Sequence, residues 1–148
     1  MVAKAPDVLV TFALGSCVGI CLTDCSTKIG GLSHIMLPDS TAAAGGESIP
    51  MRFADTAVPM LINQMCAMGA SRCCIKAKIA GGAVMFKTSS DRFNIGERNI
   101  EAVKAALRKA GIPIIAEDTG LDYGRTVYFY PETGCMEVKA AAKGVKQL

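Results

Sequence analysis

Cys17 and His34 are the two residues in this chain best suited to covalent chemistry. A thiolate can attack a carbonyl carbon, but an ordinary thiol, with a pKa of ~8.5, is mostly protonated at neutral pH. A neighbouring imidazole can take that proton and later return it to a leaving amine. Cys17 follows Gly15-Ser16 at the end of an apolar run, on a tight turn. Such a turn exposes a side chain and can aim successive backbone N–H groups at one point, where they could hold a developing oxyanion. His34 is the single histidine, and it follows Gly30-Gly31-Leu32-Ser33. A lone histidine in a strand is often structural, but the glycine pair lets backbone approach a substrate closely.

A third group usually orients such an imidazole. Thr11 is a candidate, a hydroxyl in an otherwise apolar run before Cys17. Its plain reading is a β-branched strand former satisfied by backbone. Asp24 and Asp39 are rival orienters in expected turns. Metal binding competes for the same residues. Cys17, Cys21 and Cys25, spaced by four, would share one face of a helix and could hold tetrahedral zinc with His34. Paired C-x-x-C spacing is absent, and Gly19 and its β-branched neighbours disfavour a helix there. The Gly81-Gly82 pair lacks the rest of a phosphate-binding motif and reads as a tight turn.

These residues need strands to carry them. Val8 to Ala13 is an apolar, β-branched strand pattern, and Leu14-Gly15-Ser16 turns the chain. Val18 to Leu22 reads as buried strand or a short helical turn, which periodicity alone does not separate. Gly31 to Leu37 is a third extended run, stopped by Pro38. Asp39 to Pro50 has the composition of a surface loop. Asp55 to Met68 has a helical apolar face, with Pro59 placed in the first turn and Gly69 as the stop. Cys73 to Ala80 reads as a strand. Asn94 to Ala110 is a second helix, lined by Ile100, Val103, Ala106, Leu107 and Ala110, with Glu101 within reach of Lys104. Ile112 to Glu117, Arg125 to Tyr130 and Cys135 to Lys139 are further strands, the last two joined as a hairpin by Pro131-Glu132-Thr133-Gly134. About seven strands in adjacent groups and two helices predict an α+β fold, a layered α/β/β sandwich, in one domain over residues 1–148.

Composition narrows the function class. The chain has 148 residues, 51% of them hydrophobic, enough to bury a core without disulfides or metal. A formal charge of +3, with no basic stripe interleaved with aromatics, does not indicate nucleic acid. Lys139, Lys143 and Lys146 read as a frayed tail. No apolar stretch is long enough to span a membrane, and Met1 to Asp7 lacks a signal-peptide layout, so a cytoplasmic protein is expected. Seven cysteines without a secretion signal argue for reduced thiols; Cys66, Cys73 and Cys74 read as core residues.

The order of short motifs adds a resemblance. Leu14-Gly15-Ser16-Cys17-Val18 is followed by Gly31-Leu32-Ser33-His34-Ile35-Met36-Leu37-Pro38, then Lys78-Ile79-Ala80-Gly81-Gly82-Ala83. Ile95-Gly96-Glu97-Arg98-Asn99 comes next, then Gly124-Arg125, Val127-Tyr128-Phe129 and Thr133-Gly134. Together, from about Val8 to Val138, the chain resembles the CheD family of chemoreceptor glutamine deamidases. Two departures are a short arm before the first strand and the absence of a paired glycine in Asp118-Thr119-Gly120-Leu121-Asp122.

The resemblance implies a Cys-His-Thr triad on Cys17, His34 and Thr11, and a fold like that of glutamine-deamidating toxins. It implies hydrolysis of particular glutamine amides on methyl-accepting chemotaxis receptors, with no metal or organic cofactor. It also implies a second partner, a CheC-type phosphatase of the response regulator. The alternative is a non-catalytic module that stimulates that phosphatase. Transglutamination and proteolysis would share the acyl-enzyme and are the rival thiol reactions. A monomer is the expected state.

Overall fold

The computed structural model describes residues 1–42, 49–84, 94–141 and 143–148. In chain order its strands are β1 (Val2–Lys4), β2 (Leu9–Leu14), β3 (Val18–Asp24), β4 (Ile29–Ile35), β5 (Lys76–Gly81), β6 (Ile114–Thr119), β7 (Arg125–Tyr130), β8 (Cys135–Ala140) and β9 (Gly144–Gln147). The helices are α1 (Ala54–Ala67), between β4 and β5, and α2 (Ile95–Lys109), between β5 and β6. One sheet has the order β1-β4-β3-β5-β6, the other β2-β7-β8-β9.

β3 explains the layering. All seven of its residues are buried, so both of its faces must be covered. Alternate side chains point to opposite faces of a strand. Val18, Ile20 and Leu22 enter a core shared with the helices, and Cys21 enters the core between the sheets. On β4, Ile29 and Ile35 face the helices, whereas Leu32 faces the second sheet. The result is helices on a five-stranded sheet on a four-stranded sheet, the expected α/β/β sandwich.

α1 has no side-chain cap at Phe53 and depends on its buried stripe, Ala57, Val58, Leu61, Ile62 and Met65. Each large apolar side chain buried there contributes on the order of 1.5–3 kcal/mol, which outweighs a missing cap of about 1 kcal/mol. α2 is capped by Asn94, whose side chain accepts from the Glu97 N–H, and its last turn carries Arg108 and Lys109 where the helix dipole favours cations.

Several expectations change. Val18 to Leu22, left open between strand and helical turn, is strand. Met1–Lys4 is no bare arm: β1 pairs with β4 through Val2↔Gly31 and Lys4↔Ile29. The basic tail is not frayed. Lys139 lies on β8 and Lys146 on β9, and β9 pairs with β8 from Glu137↔Gln147 to Ala140↔Gly144. Side chains of β9 are exposed, so its apolar pattern is weak, and its backbone ladder holds it instead. Pro59 lies in the second turn of α1 rather than the first, on the exposed side, where the carbonyl it leaves unpaired can meet water. Cys73 and Cys74 are exposed on a single 3₁₀ turn (Arg72–Cys74) ahead of β5, not in the core; Cys66 packs partly buried against it. Lys104 pairs with Glu117 at 2.7 Å across to β6 rather than with Glu101. The expected Asp39–Pro50 loop contains a 3₁₀ turn at Ser40–Ala42 and leads into another at Pro50–Arg52; residues 43–48 lie outside the described residues.

Candidate active site

Two of the three candidate residues come from the inner faces of the two sheets, and the third from the bend that joins them. Thr11 on β2 and His34 on β4 face each other across the sandwich, with Thr11 Oγ1 2.8 Å from His34 Nδ1. Thr11 is buried and His34 half-buried. That contact occupies Nδ1 and leaves Nε2 for another partner.

Cys17 sits in the bend between β2 and β3, half-buried against the core between the sheets. The register of β3 with β4 places it relative to His34. Gly19 lies opposite His34 and Val18 opposite Ile35. Cys17, two residues before Gly19, is therefore the diagonal neighbour of His34 on the same face, at the ~7–8 Å Cα spacing typical of such pairs. Directly opposite the imidazole there is no side chain. A Cβ on Gly19 would stand 3.0 Å from Leu14 Cδ1 and 3.6 Å from Thr11 Cγ2, so the space is taken by β2.

The Cys17 bend is held by backbone. Ala13, in the irregular last part of β2, has φ 57°, and Gly15 N–H donates to its carbonyl at 2.9 Å. Gly82 N–H donates to the Cys17 carbonyl and Ala83 N–H to the Gly15 carbonyl, each at 2.8 Å. Gly81 makes this approach possible. Its φ is +108°, and a Cβ there would fall 2.2 Å from the Cys17 carbonyl oxygen. Among the described residues no backbone carbonyl accepts from the Ser16 or Cys17 N–H. Arg125 braces the neighbouring loop: it is buried, bonded to Asp118 at 3.0 Å, and donates to the Gly120 and Tyr123 carbonyls. Gly120 N–H in turn donates to the Gly81 carbonyl.

Electrostatics favour the uncharged forms of both groups. Burial pushes the Cys17 thiol above its ordinary value. Burial, then the Arg52 guanidinium, holds the His34 imidazole below its ordinary value. Both shifts favour the neutral form of each group, thiol over thiolate and imidazole over imidazolium.

A cleft of about 390 Å³ opens beside the Thr11–His34 contact, lined by those two residues with Met36, Met51 and Arg52 among others, and Cys17 is not part of its lining. Met36, on the cleft wall, remains 43% exposed. Arg52 reaches this place because the Met36 and Leu37 N–H groups donate to its carbonyl. No spacing in the sequence signals that tertiary contact. Asn99 is also missed as a site residue: its amide reaches the Ser16 and Met36 carbonyls, each at 3.0 Å. Its signal was a polar residue in register with Val103 and Leu107 on the buried face of α2.

The rival arrangements are not brought together. Asp24 lies at the far end of β3 from Cys17 and is occupied by Ser26 and Ser71. Asp39 accepts from Thr41. Cys17, Cys21 and Cys25 lie along extended chain, not a helix; Cys17 and Cys25 bracket β3, and eight residues at the strand rise separate them by roughly 25 Å. They cannot close on one zinc ion.

Comparison with known proteins agrees with this architecture. The family model described as CheD chemotactic sensory transduction matches residues 36–140, just beyond the candidate residues. Full-length relatives cover the rest. A probable chemoreceptor glutamine deamidase CheD of Lachnoclostridium phytofermentans is 48% identical over 99% of this chain and 92% of its own. One of Caldanaerobacter subterraneus subsp. tengcongensis is 50% identical over 99% and 91%. A chemoreceptor glutamine deamidase CheD of Halalkalibacterium halodurans is 45% identical over 99% and 92%. The chain belongs to the CheD family. No helix among the described residues is long and apolar enough to cross a membrane.

Proposed function

We propose that this protein is a protein-glutamine deamidase acting on the cytoplasmic parts of chemoreceptors, with Cys17 as nucleophile, His34 as acid–base group and Thr11 as orienter. The observation that carries this reading is the Thr11–His34 hydrogen bond on the inner face that Cys17 also occupies. The names of the relatives supply the substrate class. Exposed Met36 on the cleft wall favours a macromolecular substrate over a free amide.

The reaction runs in two acyl transfers. His34 Nε2 takes the Cys17 proton as sulfur attacks the glutamine carboxamide carbon. Nδ1–H donates to Thr11 Oγ1, which keeps that tautomer and holds the ring in line. The Ser16 and Cys17 N–H groups, which meet no backbone carbonyl among the described residues, serve the oxyanion. The C–N bond then breaks, and ammonia leaves with the proton from His34. Water, deprotonated by His34, hydrolyses the thioester and releases glutamate and the thiol. The net change is glutamine plus water to glutamate plus ammonia. A CheC-type phosphatase is the second partner of this reading.

Mass spectrometry of chemoreceptor cytoplasmic fragments incubated with the parent protein and with Cys17→Ala tests the assignment. A gain of ~1 Da per modified glutamine with the parent alone supports it. Equal gain with Cys17→Ala removes Cys17 from the chemistry. No gain with folded, reduced parent on cognate fragments turns the reading to a phosphatase-binding module.

A further inference from the structure

The β3–β4 ladder ends at Val18↔Ile35, one residue short of Cys17 and one past His34. Beyond that rung, no strand pairing holds the nucleophile's bend to the end of the histidine strand. Asn99 stands there. It is fully buried on α2, and its Nδ2 donates to the Ser16 carbonyl and to the Met36 carbonyl, both at 3.0 Å. Ser16 directly precedes Cys17, and Met36 lies two residues after His34. One amide group spans both arms of the site in place of the next ladder rung.

We propose that Asn99 is a positioning residue that fixes the separation and facing of Cys17 and His34. The proposal rests on the assignment of those two residues as the reacting pair. A buried amide is a costly way to fill a helix face whose neighbours are Val103 and Leu107. Its protons go only to the two carbonyls that flank the site, and its Oδ1 is buried with no partner among the described residues. An apolar side chain would fill the space without leaving an orphaned oxygen, so the value of the amide lies in what its NH₂ joins.

The same end of α2 grips the bend from a second direction. A Cβ on Gly96 would lie 2.6 Å from the Gly82 carbonyl oxygen and 2.7 Å from that of Ala83, so helix and loop are in backbone contact. Gly82 and Ala83 are the residues whose N–H groups hold the Cys17 and Gly15 carbonyls. The segment Gly96 to Asn99 thus docks α2 on both sides of the nucleophile.

The test compares Asn99→Ala with Val103→Ala, which lies on the same buried stripe. Thermal melts establish that each is folded. Deamidation kinetics are then measured, together with the pH dependence of Cys17 alkylation by iodoacetamide. Asn99→Ala is expected to lower kcat by about 10²-fold, the scale for ~1 Å misplacement of reacting groups. KM is expected to stay within about threefold, and the imidazole-assisted part of the alkylation profile to disappear. Val103→Ala is expected to keep kcat within about threefold and the parent's profile. A kcat for Asn99→Ala within that same range, or equal losses in both variants, overturns the proposal.

Should Asn99→Ala fail to fold, hydrogen exchange of the Asn99 side-chain amide in the parent decides. Protection of about 10²-fold or more, with a shift of these resonances on Cys17 alkylation, supports the proposal. Exchange at the free-amide rate overturns it. Cys17→Ala separates the two levels. If it retains full activity, the nucleophile assignment fails whatever Asn99 does. If it is inactive while Asn99→Ala is unimpaired, only the positioning role fails.

Discussion

Thr11 Oγ1 and His34 Nδ1 lie 2.8 Å apart, and they belong to different sheets of the sandwich. The hydroxyl comes from β2, the imidazole from β4. The contact therefore exists only when the two sheets are packed, and it makes the state of the candidate base depend on that packing.

Replacing Thr11 with Val removes the hydroxyl and keeps the shape. The lost hydrogen bond is worth about 1–1.5 kcal/mol, so kcat is expected to fall about tenfold. Thr11→Ser is expected to recover most of the loss. Steady-state deamidation by both variants, with melts to show that each is folded, checks this.

The pH dependence has a defined sign. In the proposed mechanism the neutral imidazole is the active form, and burial together with Arg52 holds its pKa below the ordinary 6.5. The acid limb of kcat/KM is expected to have its midpoint below that value. Arg52→Gln removes a cation that disfavours imidazolium, so the limb moves to higher pH. Added salt moves the parent's limb the same way by screening the guanidinium. A limb that stays in place in Arg52→Gln would show that burial alone sets it.

Gly81→Ala is expected to damage the bend. The backbone sits at φ +108°, and the new Cβ would fall 2.2 Å from the Cys17 carbonyl oxygen. Left-handed strain and a backbone clash together cost at least about 2 kcal/mol, or a fall in Tm of roughly 4–8 °C. Activity is expected to fall further than stability, because the atom displaced belongs to Cys17, the proposed nucleophile. Differential scanning fluorimetry alongside the ammonia assay measures both.

Asp24 anchors the other end of β3. Burial alone would raise its pKa, but hydrogen bonds from Ser26 and Ser71 outweigh burial and hold the carboxyl down at about 2. A folded-state value below the unfolded 3.8 means that the contribution to stability is full above about pH 4. It is lost as pH falls through about 2. Asp24→Asn is expected to cost on the order of 1–2 kcal/mol at pH 7. The gap between variant and parent in urea melts should close between pH 4 and pH 2.

Much of the fold was legible because it is written in local pattern. β7 begins and ends where β-branched and aromatic alternation does, Arg125–Tyr130, and the Pro131–Gly134 turn closes the hairpin to β8. α2 starts at its Asn94 cap and stops before Gly111. β1 and β9 were not legible, since three- and four-residue edge strands with few buried side chains leave little periodicity to read. Cys73 and Cys74 were misread because an apolar run was taken into the strand, whereas a 3₁₀ turn keeps both thiols in solvent.

The candidate site divides along the same line. By itself the sequence determined which groups are available: one histidine, a cysteine on a Gly-Ser turn, a hydroxyl in an apolar strand, and the motif order that marks the family. Tertiary structure alone decided what they meet. Strand register put Gly19 opposite His34 and so made Cys17 its diagonal neighbour. Sheet packing brought Thr11 to Nδ1. A helix more than sixty residues away in sequence supplied Asn99, and a loop beyond β4 supplied Arg52. Residue type and local turn chemistry are properties of short segments. Proximity across sheets and the field of a neighbouring cation are fixed only when distant segments share a core.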